Sequence, residues 1–278
     1  MIKIKNLAFK NPLILASGTF GFGDKFTQVA NKMGGLVTKG ITLQPRLGNP
    51  MPRICETPAG ILNAVGLENP GIQMFVKEIL PKLQYLKTNL IVNIAGNTIS
   101  EYATIAEILD NTSVAAIEIN ISCPNLKDTK RKSMIGQNPK TTYQVVKAVR
   151  KKTRKPIITK LTANFIDPLL TGKAAVEAGS DAISLINTLY GIAFNLKTRQ
   201  PMLGAITGGL SGPAIKPFAL YCVWRLSQYL KVPIVGCGGI TNASDVQEFL
   251  LAGAQLVEIG SANLRNPYIG LDILKNLK

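Results

Sequence analysis

The feature that most constrains the fold of this chain is a series of short apolar runs that recur along its whole length. Eight of them are rich in β-branched residues, and they cover residues 13–18, 36–40, 89–96, 116–122, 156–161, 182–188, 233–239 and 256–261. Both faces of each run are apolar, which is typical of parallel strands that are covered on both sides. The runs therefore predict the strands of a parallel sheet.

Helical patterns separate most of the predicted strands, at residues 102–109, 142–152, 169–178, 219–230 and 244–252. Gly179 and Gly253 stand where two of these helices would end, and Asn242 or Ser244 stands where one would begin. Eight strand–helix units in one continuous series favour a closed (β/α)8 barrel of the α/β class over an open sheet. We therefore predict a single barrel domain over residues 1–278.

Two further patterns refine this prediction. No Gly-x-Gly-x-x-Gly turn follows the first strand, so a dinucleotide-binding Rossmann domain has no support. Residues 41–70 form a long connection that is rich in proline and glycine. A connection of that length inside a compact barrel more often covers a site than separates two domains.

The residue types that are present limit the chemistry. The chain contains no histidine, which excludes imidazole–metal chemistry, and we predict no metal site. Its four cysteines form no Cys-x-x-Cys pair and are predicted to be free thiols. Cys222 and Cys237 are interpreted as small buried hydrophobic residues. Cys55 lies in the long connection, with nothing nearby that would activate a thiol.

The chain is strongly basic, with 32 Lys and Arg against 16 Asp and Glu and a net charge of +16. Its dense basic runs, 127–132 and 147–155, are not interleaved with aromatic residues, so we expect no nucleic-acid partner. The charge is compatible with biased residue usage alone, or with a general field that favours anionic ligands or an acidic partner. No apolar run reaches the 18–20 residues of a membrane span, and the N-terminal apolar stretch is too short for a signal peptide. We expect a cytoplasmic protein without a membrane partner.

Polar side chains gather where the predicted strands end. In a (β/α)8 barrel the carboxyl ends of the strands form one rim, which carries the active site. Any single polar strand end could be explained by a solvated turn, but two lysines and three asparagines at one rim favour a binding site. The polar strand-end residues are Ser17, Lys39, Asn93, Asn120, Cys123, Lys160, Asn187, Thr188 and Ser261.

Glycines follow the last two strands, at Gly236, Gly238, Gly239 and Gly260. They are compatible with tight turns, but the loops after strands seven and eight commonly bind phosphate in this fold. We therefore favour a ligand that carries phosphate. Cys123 differs from the other cysteines because it lies at the rim among polar residues, where nearby cations would lower the pKa of a thiol and allow it to act as a base.

At these positions the sequence resembles the class 1 dihydroorotate dehydrogenases. The similarity extends from about residue 6 to residue 268 and is carried by NPLILASGTFGFG at 11–23, VTKGIT at 37–42, NAVGLENPG at 63–71, NISCPN at 120–125, NTL at 187–189, GGLSGPAIKP at 208–217, GGI at 238–240 and GSAN at 260–263. The first and sixth of these motifs resemble class 1B, in which the barrel pairs with an iron–sulfur/FAD subunit and passes electrons to NAD.

The resemblance implies that the chain oxidises dihydroorotate to orotate on bound FMN, with Cys123 as the base. It implies that substrate is bound by Lys39, Asn63, Ala64, Val65, Gly66, Leu67, Asn120, Asn187 and Thr188. It implies that FMN is bound by Ser17, Lys39, Gly40, Asn93, Asn120, Lys160, Ile186, Gly212, Gly238, Gly239, Gly260 and Ser261. Lys39 would lie between flavin and the substrate carboxylate, and Lys160 would face the flavin N1/O2 edge. It further implies a homodimer of barrels or a heterotetramer with the electron-transfer subunit.

The sequence departs from the family pattern at three places. Residues 127–134 replace a short mobile loop that usually carries two glycines, Ala163 replaces a usual proline, and the C-terminus is short. Three alternatives stay open on the sequence. They are a class 1A enzyme that reduces fumarate, a barrel of the dihydropyrimidine dehydrogenase type, and a basic binding protein without catalytic activity.

Overall fold

The fold is given by a computed structural model that describes residues 2–122 and 135–277. In chain order its strands are β1 (Ile2–Ile4), β2 (Leu7–Phe9), β3 (Leu13–Leu15), β4 (Gly35–Val37), β5 (Ile54–Thr57), β6 (Gly60–Asn63), β7 (Asn89–Ile94), β8 (Ala116–Asn120), β9 (Ile157–Lys160), β10 (Ala182–Leu185), β11 (Leu189–Gly191), β12 (Phe194–Asn195), β13 (Gln200–Pro201), β14 (Gly208–Ser211), β15 (Ile234–Cys237) and β16 (Leu256–Ile259). Eight of these strands form the barrel, and smaller sheets lie at its two ends.

The α-helices in the described residues are α1 (Thr27–Ala30), α2 (Gly71–Met74), α3 (Ile99–Asp110), α4 (Pro139–Arg150), α5 (Pro168–Glu177), α6 (Lys216–Ser227), α7 (Ala243–Leu251), α8 (Ala262–Arg265) and α9 (Ile269–Asn276). A π-helical turn covers Phe75–Ile79, and 3-10 turns cover Leu80–Leu83, Ile135–Gln137 and Pro213–Ile215. The five predicted helices correspond to α3–α7. Gly179 and Gly253 follow α5 and α7 with φ of 105° and 104°, and Asn242 rather than Ser244 caps α7.

The barrel strands follow one another in chain order around the closed sheet: β3, β4, β7, β8, β9, β10, β15, β16 and back to β3. Every neighbouring pair is parallel. The predicted (β/α)8 barrel is thereby confirmed. All carboxyl ends of the strands lie at one rim, because the strands run in the same direction.

The lower half of the barrel interior is apolar. Each strand contributes one side chain to a buried cluster, namely Ile14, Val37, Ile91, Ala116, Ile158, Ala182, Val235 and Leu256. Ile4 and Phe9 of the antiparallel β1–β2 hairpin pack against this cluster. The hairpin therefore covers the end of the barrel opposite the rim.

Two residues further along each strand, the interior becomes largely polar. Alternate residues of a strand point to the same face of a sheet, so the side chains above the apolar cluster also face the barrel axis. They are Ala16, Lys39, Asn93, Glu118, Lys160, Ser184, Cys237 and Glu258. This change of polarity divides the barrel into a packed base and a polar upper layer.

A four-stranded antiparallel sheet, which we call the covering sheet, lies above the rim, in the order β11-β14-β6-β5. The connection 41–70, predicted as a loop, contains β5 and β6 as a hairpin. The pairing of β6 with β14 joins this hairpin to the segment that follows β10, with Asn63 opposite Gly209. Among the described residues, no helix combines the length and the apolar character that crossing a membrane requires.

Candidate active site

A pocket opens at the rim and brings together nearly all of the predicted site residues. Its walls include Ser17, Lys39, Gly40, Asn63, Val65, Gly66, Leu67, Asn93, Asn120, Lys160, Ile186, Asn187, Thr188, Gly212, Gly238, Gly239, Gly260 and Ser261. Ala64 does not line it, because its side chain packs with Cys55, Leu62 and Leu203 on the other side of the covering sheet. Cys123 and residues 127–134 lie outside the described residues.

One wall of the pocket is built from glycines in conformations that other residues rarely adopt. Gly238 and Gly239 have φ of 133° and 77°, and Gly212 has φ of 99°. A Cβ on Gly239 would lie 2.7 Å from Cβ of Lys216 and 2.8 Å from the Gly212 carbonyl oxygen. Glycine is therefore required here by both space and backbone geometry.

The same wall presents unused backbone donors. Among the described residues, none accepts a hydrogen bond from the N–H groups of Gly239, Ile240, Gly260 or Ser261. Unpaired backbone N–H groups away from water are rare in folded proteins, and a cluster of them in a pocket is suited to an anion. This arrangement fits the phosphate group predicted after the last two strands.

A chain of amides crosses the pocket between neighbouring strands. Asn120 Nδ2 donates to Asn93 Oδ1 at 3.3 Å, and Asn120 Oδ1 accepts from the Ser122 hydroxyl at 3.1 Å. Asn187 Nδ2 donates to the Ser122 hydroxyl at 2.9 Å. Tyr102 fixes the strand end by donating from its buried hydroxyl to the Asn120 carbonyl at 2.8 Å. These bonds hold the amide groups in fixed orientations, as recognition of a planar polar ring requires.

The loop that follows β6 carries Glu68, which forms ion pairs at the mouth of the pocket. Lys39 Nζ lies 3.4 Å from Glu68 Oε2, and Arg53 NH1 lies 3.1 Å from the same oxygen. Both bridges are partly exposed, so solvent screens them and they contribute little to stability. Asn63, on the covering sheet, donates to the Gly209 carbonyl at 3.3 Å, which directs its side chain along the β6–β14 pair.

The polar layer of the barrel, which forms the floor of the pocket, contains two carboxyl groups that the strand-end analysis missed. Glu118 and Glu258 are almost completely buried, and Glu258 contacts the ammonium of Lys160. Glu118 accepts hydrogen bonds from Asn93 Nδ2 at 2.6 Å and from the Ser184 hydroxyl at 2.9 Å. The sequence signal for these positions is a carboxylate one or two residues before the end of a barrel strand that is otherwise mostly apolar.

Burial and charge act in opposite directions on these groups. Burial alone would lower the pKa of the Lys160 ammonium, but the neighbouring acidic groups outweigh it and raise the pKa above its ordinary value, so Lys160 stays charged. Burial raises the pKa of Cys237 to about 12, so this thiol is neutral at physiological pH. Glu258 and Glu118 are therefore the acidic side chains whose charge acts on Lys160.

The other cysteines agree with the sequence analysis in part. Cys55, Cys222 and Cys237 are buried free thiols, and burial raises the pKa of Cys222 to about 12. Cys222 lies on the buried face of α6 and packs in the core, as expected of a small hydrophobic residue. Cys237 was also interpreted as a core residue, but it faces the barrel axis and lines the pocket.

Comparison with known proteins decides the family. The family model described as "Dihydroorotate dehydrogenase" matches residues 1–278. This chain belongs to the dihydroorotate dehydrogenase family. Relatives named "Dihydroorotate dehydrogenase B (NAD(+)), catalytic subunit" include one from Geotalea uraniireducens, 47% identical with 100% of this chain and 91% of the relative covered. Another, from Geotalea daltonii, is 50% identical with 96% and 88% covered.

A third relative of the same name, from Thermodesulfovibrio yellowstonii, is 45% identical, with 100% of this chain and 92% of the relative covered. The resemblance to class 1B is thereby confirmed. Among solved structures, a DHODH from Eimeria tenella, crystallised in complex with ferulenol, aligns with a TM-score of 0.80. It is 23% identical, with 99% of this chain and 82% of that chain covered, and supports the fold alone.

Proposed function

We propose that this chain catalyses the oxidation of dihydroorotate to orotate in pyrimidine biosynthesis, using bound FMN, and that its electrons reach NAD through a partner subunit. One observation carries the proposal: Lys39, Lys160, the Asn93–Asn120–Asn187 amides and the free N–H groups of the glycine wall line one pocket. The family is flavin-dependent, and the names of the relatives supply the substrate and NAD. FMN is the form of flavin that this pocket suits, because it ends in a phosphate.

The residues of the pocket fit this cofactor. The N–H groups of Gly239, Ile240, Gly260 and Ser261 would bind its phosphate, with Gly238 and Gly212 completing the wall. Asn93 and Lys160 would hold the polar edge of the ring from below, and Ser17, Gly40, Asn120 and Ile186 would enclose its face. Bound flavin supplies the chemistry of accepting a hydride.

The other half of the pocket would hold the substrate. Amide groups of Asn63, Asn120 and Asn187, with the Thr188 hydroxyl, can pair with the alternating donors and acceptors of a dihydropyrimidine ring. The Lys39 ammonium would bind the substrate carboxylate, and Val65, Gly66 and Leu67 would cover the ring and exclude water. Ala64 would act only by packing beneath this loop.

Cys123 would remove the proton from C5 of dihydroorotate while a hydride leaves C6. The substrate thereby loses a proton from C5 and a hydride, which is a proton with two electrons, from C6. The C5–C6 double bond of orotate is the result. The Lys39 ammonium would keep the carboxylate in place, and the fixed amides would keep C5 towards the base. Positive charge at Lys160 would stabilise the negative charge that reduction places at the cofactor edge.

We further propose that residues 1–278 act as one domain and that the barrel forms oligomers. The name "catalytic subunit" of the relatives supports a partner subunit, which we propose carries the iron–sulfur and FAD groups. Exposed apolar side chains on the segments around the covering sheet support a further contact between two barrels. They are Leu47, Met51, Phe194 and Leu196, all more than half exposed.

The visible spectrum of the purified protein tests the proposal most directly. We expect a yellow protein with a flavin spectrum, which bleaches when dihydroorotate is added without oxygen. Dihydrouracil should not bleach it, and NAD should serve as acceptor once the partner subunit is present. A colourless protein, or bleaching by dihydrouracil alone, would contradict the proposal. Turnover of the isolated barrel with fumarate would contradict only the link to NAD.

A further inference from the structure

The carboxyl groups of Glu118 and Glu258 meet across the axis of the barrel. Their strands, β8 and β16, lie on opposite sides of the eight-stranded sheet. Both side chains are almost fully buried, at 0% and 1% exposure, and they face the barrel axis from the same layer. Two acidic side chains that face each other in an interior without access to water cannot both be ionised at ordinary cost.

The carboxyl groups of Glu118 and Glu258 differ in how many of their oxygens accept a hydrogen bond. Both oxygens of Glu118 accept hydrogen bonds, from Asn93 and Ser184, as an ionised carboxylate does. Glu258 Oε2 contacts Lys160 Nζ, but Glu258 Oε1 is buried and has no donor among the described residues. A carboxylate oxygen left in that position has lost its water without gaining a hydrogen bond, which is costly.

A single proton removes this cost. If Glu258 Oε1 carries the proton, it can donate to the Glu118 carboxylate, and Oε2 remains free to accept from Lys160. The three groups then carry one positive and one negative charge, which cancel in the barrel interior. Burial, followed by the nearby Glu118 carboxyl, raises the pKa of Glu258 above its ordinary value, in agreement with this arrangement.

We propose that Glu118 and Glu258 share one proton beneath Lys160, and that this pair loses or regains the proton in response to pH and to the charge of the cofactor. Glu258 is thus a positioning residue, which acts through Lys160 rather than on the substrate. The inference rests on the proposed flavin function for its redox consequence, but the shared proton itself does not depend on bound flavin.

The groups that face the pair come from all eight barrel strands. Lys160 on β9 and Cys237 on β15 are the titratable neighbours. Asn93 on β7 and Ser184 on β10 are the neutral neighbours. The two remaining strands are β3 and β4. Ala16, just after the end of β3, has no charge, and the ammonium of Lys39, just after the end of β4, pairs with Glu68 at the mouth of the pocket. Because Cys237 is neutral, Lys160 is the one charged neighbour of the pair among the described residues.

The redox consequence follows from proton and electron balance. A hydride transferred to bound flavin would bring two electrons and one proton from the substrate and would add one negative charge near Lys160. That charge makes the carboxyl pair hold its proton more tightly. At a pH where the pair of the oxidised enzyme has lost its proton, reduction therefore takes up a second proton from solvent. At lower pH the pair is protonated in both states, and reduction takes up one.

Two measurements on the whole protein test the proposal. Infrared spectroscopy should show the carbonyl band of a protonated carboxylic acid at neutral pH, shifted in D2O and lost as pH rises. The midpoint potential of the bound flavin should fall with pH at a slope that doubles above the pH at which the band disappears. Ionisation of the reduced ring would make the slope shallower with rising pH, so a steeper slope reports the protein.

Glu258→Gln is the decisive variant, because its amide can donate to Glu118 and accept from Lys160 but has no proton to lose. We expect the infrared band and the change of slope to disappear together. Glu107→Gln is the matched control, since it removes an exposed carboxylate of α3 that pairs with Lys152. The control should retain both signals. If Glu258→Gln does not fold, Glu118→Gln should also abolish both.

Each outcome decides the proposal. A wild-type protein without the carboxylic acid band at neutral pH overturns it, and so does a Glu258→Gln protein that keeps the band. Normal bleaching by dihydroorotate without the band would reject the shared proton and leave the proposed function intact. A protein that shows the band but binds no flavin would reject the proposed function and leave the shared proton intact.

Discussion

Lys39 Nζ lies 3.4 Å from Glu68 Oε2, so the ammonium at the end of β4 contacts the loop that covers the pocket. The same carboxylate contacts Arg53, which keeps Glu68 paired when Lys39 turns to another anion. The geometry therefore allows Lys39 to exchange an exposed partner for a substrate carboxylate at little cost. An exposed bridge of this kind is worth at most about 1 kcal/mol.

Lys39→Ala should lower kcat/KM for dihydroorotate by about 10- to 100-fold, because a hydrogen bond to a charged group contributes about 1.5–3 kcal/mol. Stopped-flow reduction of the bound flavin measures the effect. Glu68→Gln is the matched control, since it breaks the ion pair but keeps the ammonium. If both variants lost activity equally, the ion pair rather than the free ammonium would be responsible.

Cys123→Ala should retain bound flavin but lose about 10²–10⁴-fold in the rate of dihydroorotate oxidation, because it removes the general base. Flavin content and single-turnover reduction are measured on the same sample. Cys222→Ala removes a buried thiol from α6 and should leave the rate unchanged. A Cys123→Ala protein that loses flavin yet keeps its rate would assign this residue to cofactor binding.

Gly239→Ala should weaken both the fold and the binding of flavin. Its Cβ would be 2.7 Å from Cβ of Lys216, and φ of 77° strains any side chain, so a loss of about 1–3 kcal/mol in unfolding free energy is expected. Gly260→Ala meets only Cβ of Ala16 at 3.9 Å. It should keep its stability and lose flavin affinity alone, because the methyl group would narrow the phosphate site.

Urea unfolding and fluorescence titration with flavin separate these two effects. Equal losses of stability in both glycine variants would show that the wall has a structural role only. Unchanged flavin affinity in both would remove the phosphate site from this wall.

Asp245→Asn should destabilise the protein by about 1–2 kcal/mol at neutral pH, because Asp245 completes the cap of α7 and pairs with Lys216 at 2.6 Å. Burial alone would raise the pKa of Asp245, but hydrogen bonds from Lys216 and Thr241 lower it below the ordinary value. Its stabilising effect is therefore present above the unfolded pKa of about 3.9 and is lost as pH falls through the lower folded value.

Unfolding free energies of the wild type and of Asp245→Asn, measured across that range, check the sign. The difference between the two proteins should narrow as the solution becomes acidic. A difference that stays constant down to the lowest pH at which both fold would show that the Asp245 charge contributes nothing.

Local sequence patterns were sufficient for the barrel itself. A strand buried on both faces is apolar along most of its length, and each predicted run corresponds to a barrel strand. The helices end before Gly179 and Gly253, as predicted, because these glycines adopt a positive φ that other residues rarely adopt. The rim residues were also predictable, because parallel strands bring their carboxyl ends to one edge. Lys39, Asn93, Asn120 and Lys160 all line the pocket.

Contacts between distant segments were not predictable in the same way. The β5–β6 hairpin is stabilised by β14, about 150 residues later, and the direction of Ala64 depends on that pairing. Cys237 has the same local pattern as a core cysteine. Its exposure to the pocket depends on which face of β15 turns towards the barrel axis.

The sequence by itself determined the number and order of the barrel strands and the polar residues at their ends, because both are visible in short stretches of the chain. Only the tertiary structure decided which side chains meet inside the barrel. Glu118 and Glu258 are 140 positions apart, and their contact exists because closure of the sheet brings opposite strands to one axis. Whether a buried carboxylate stands alone or shares a proton is decided by that closure.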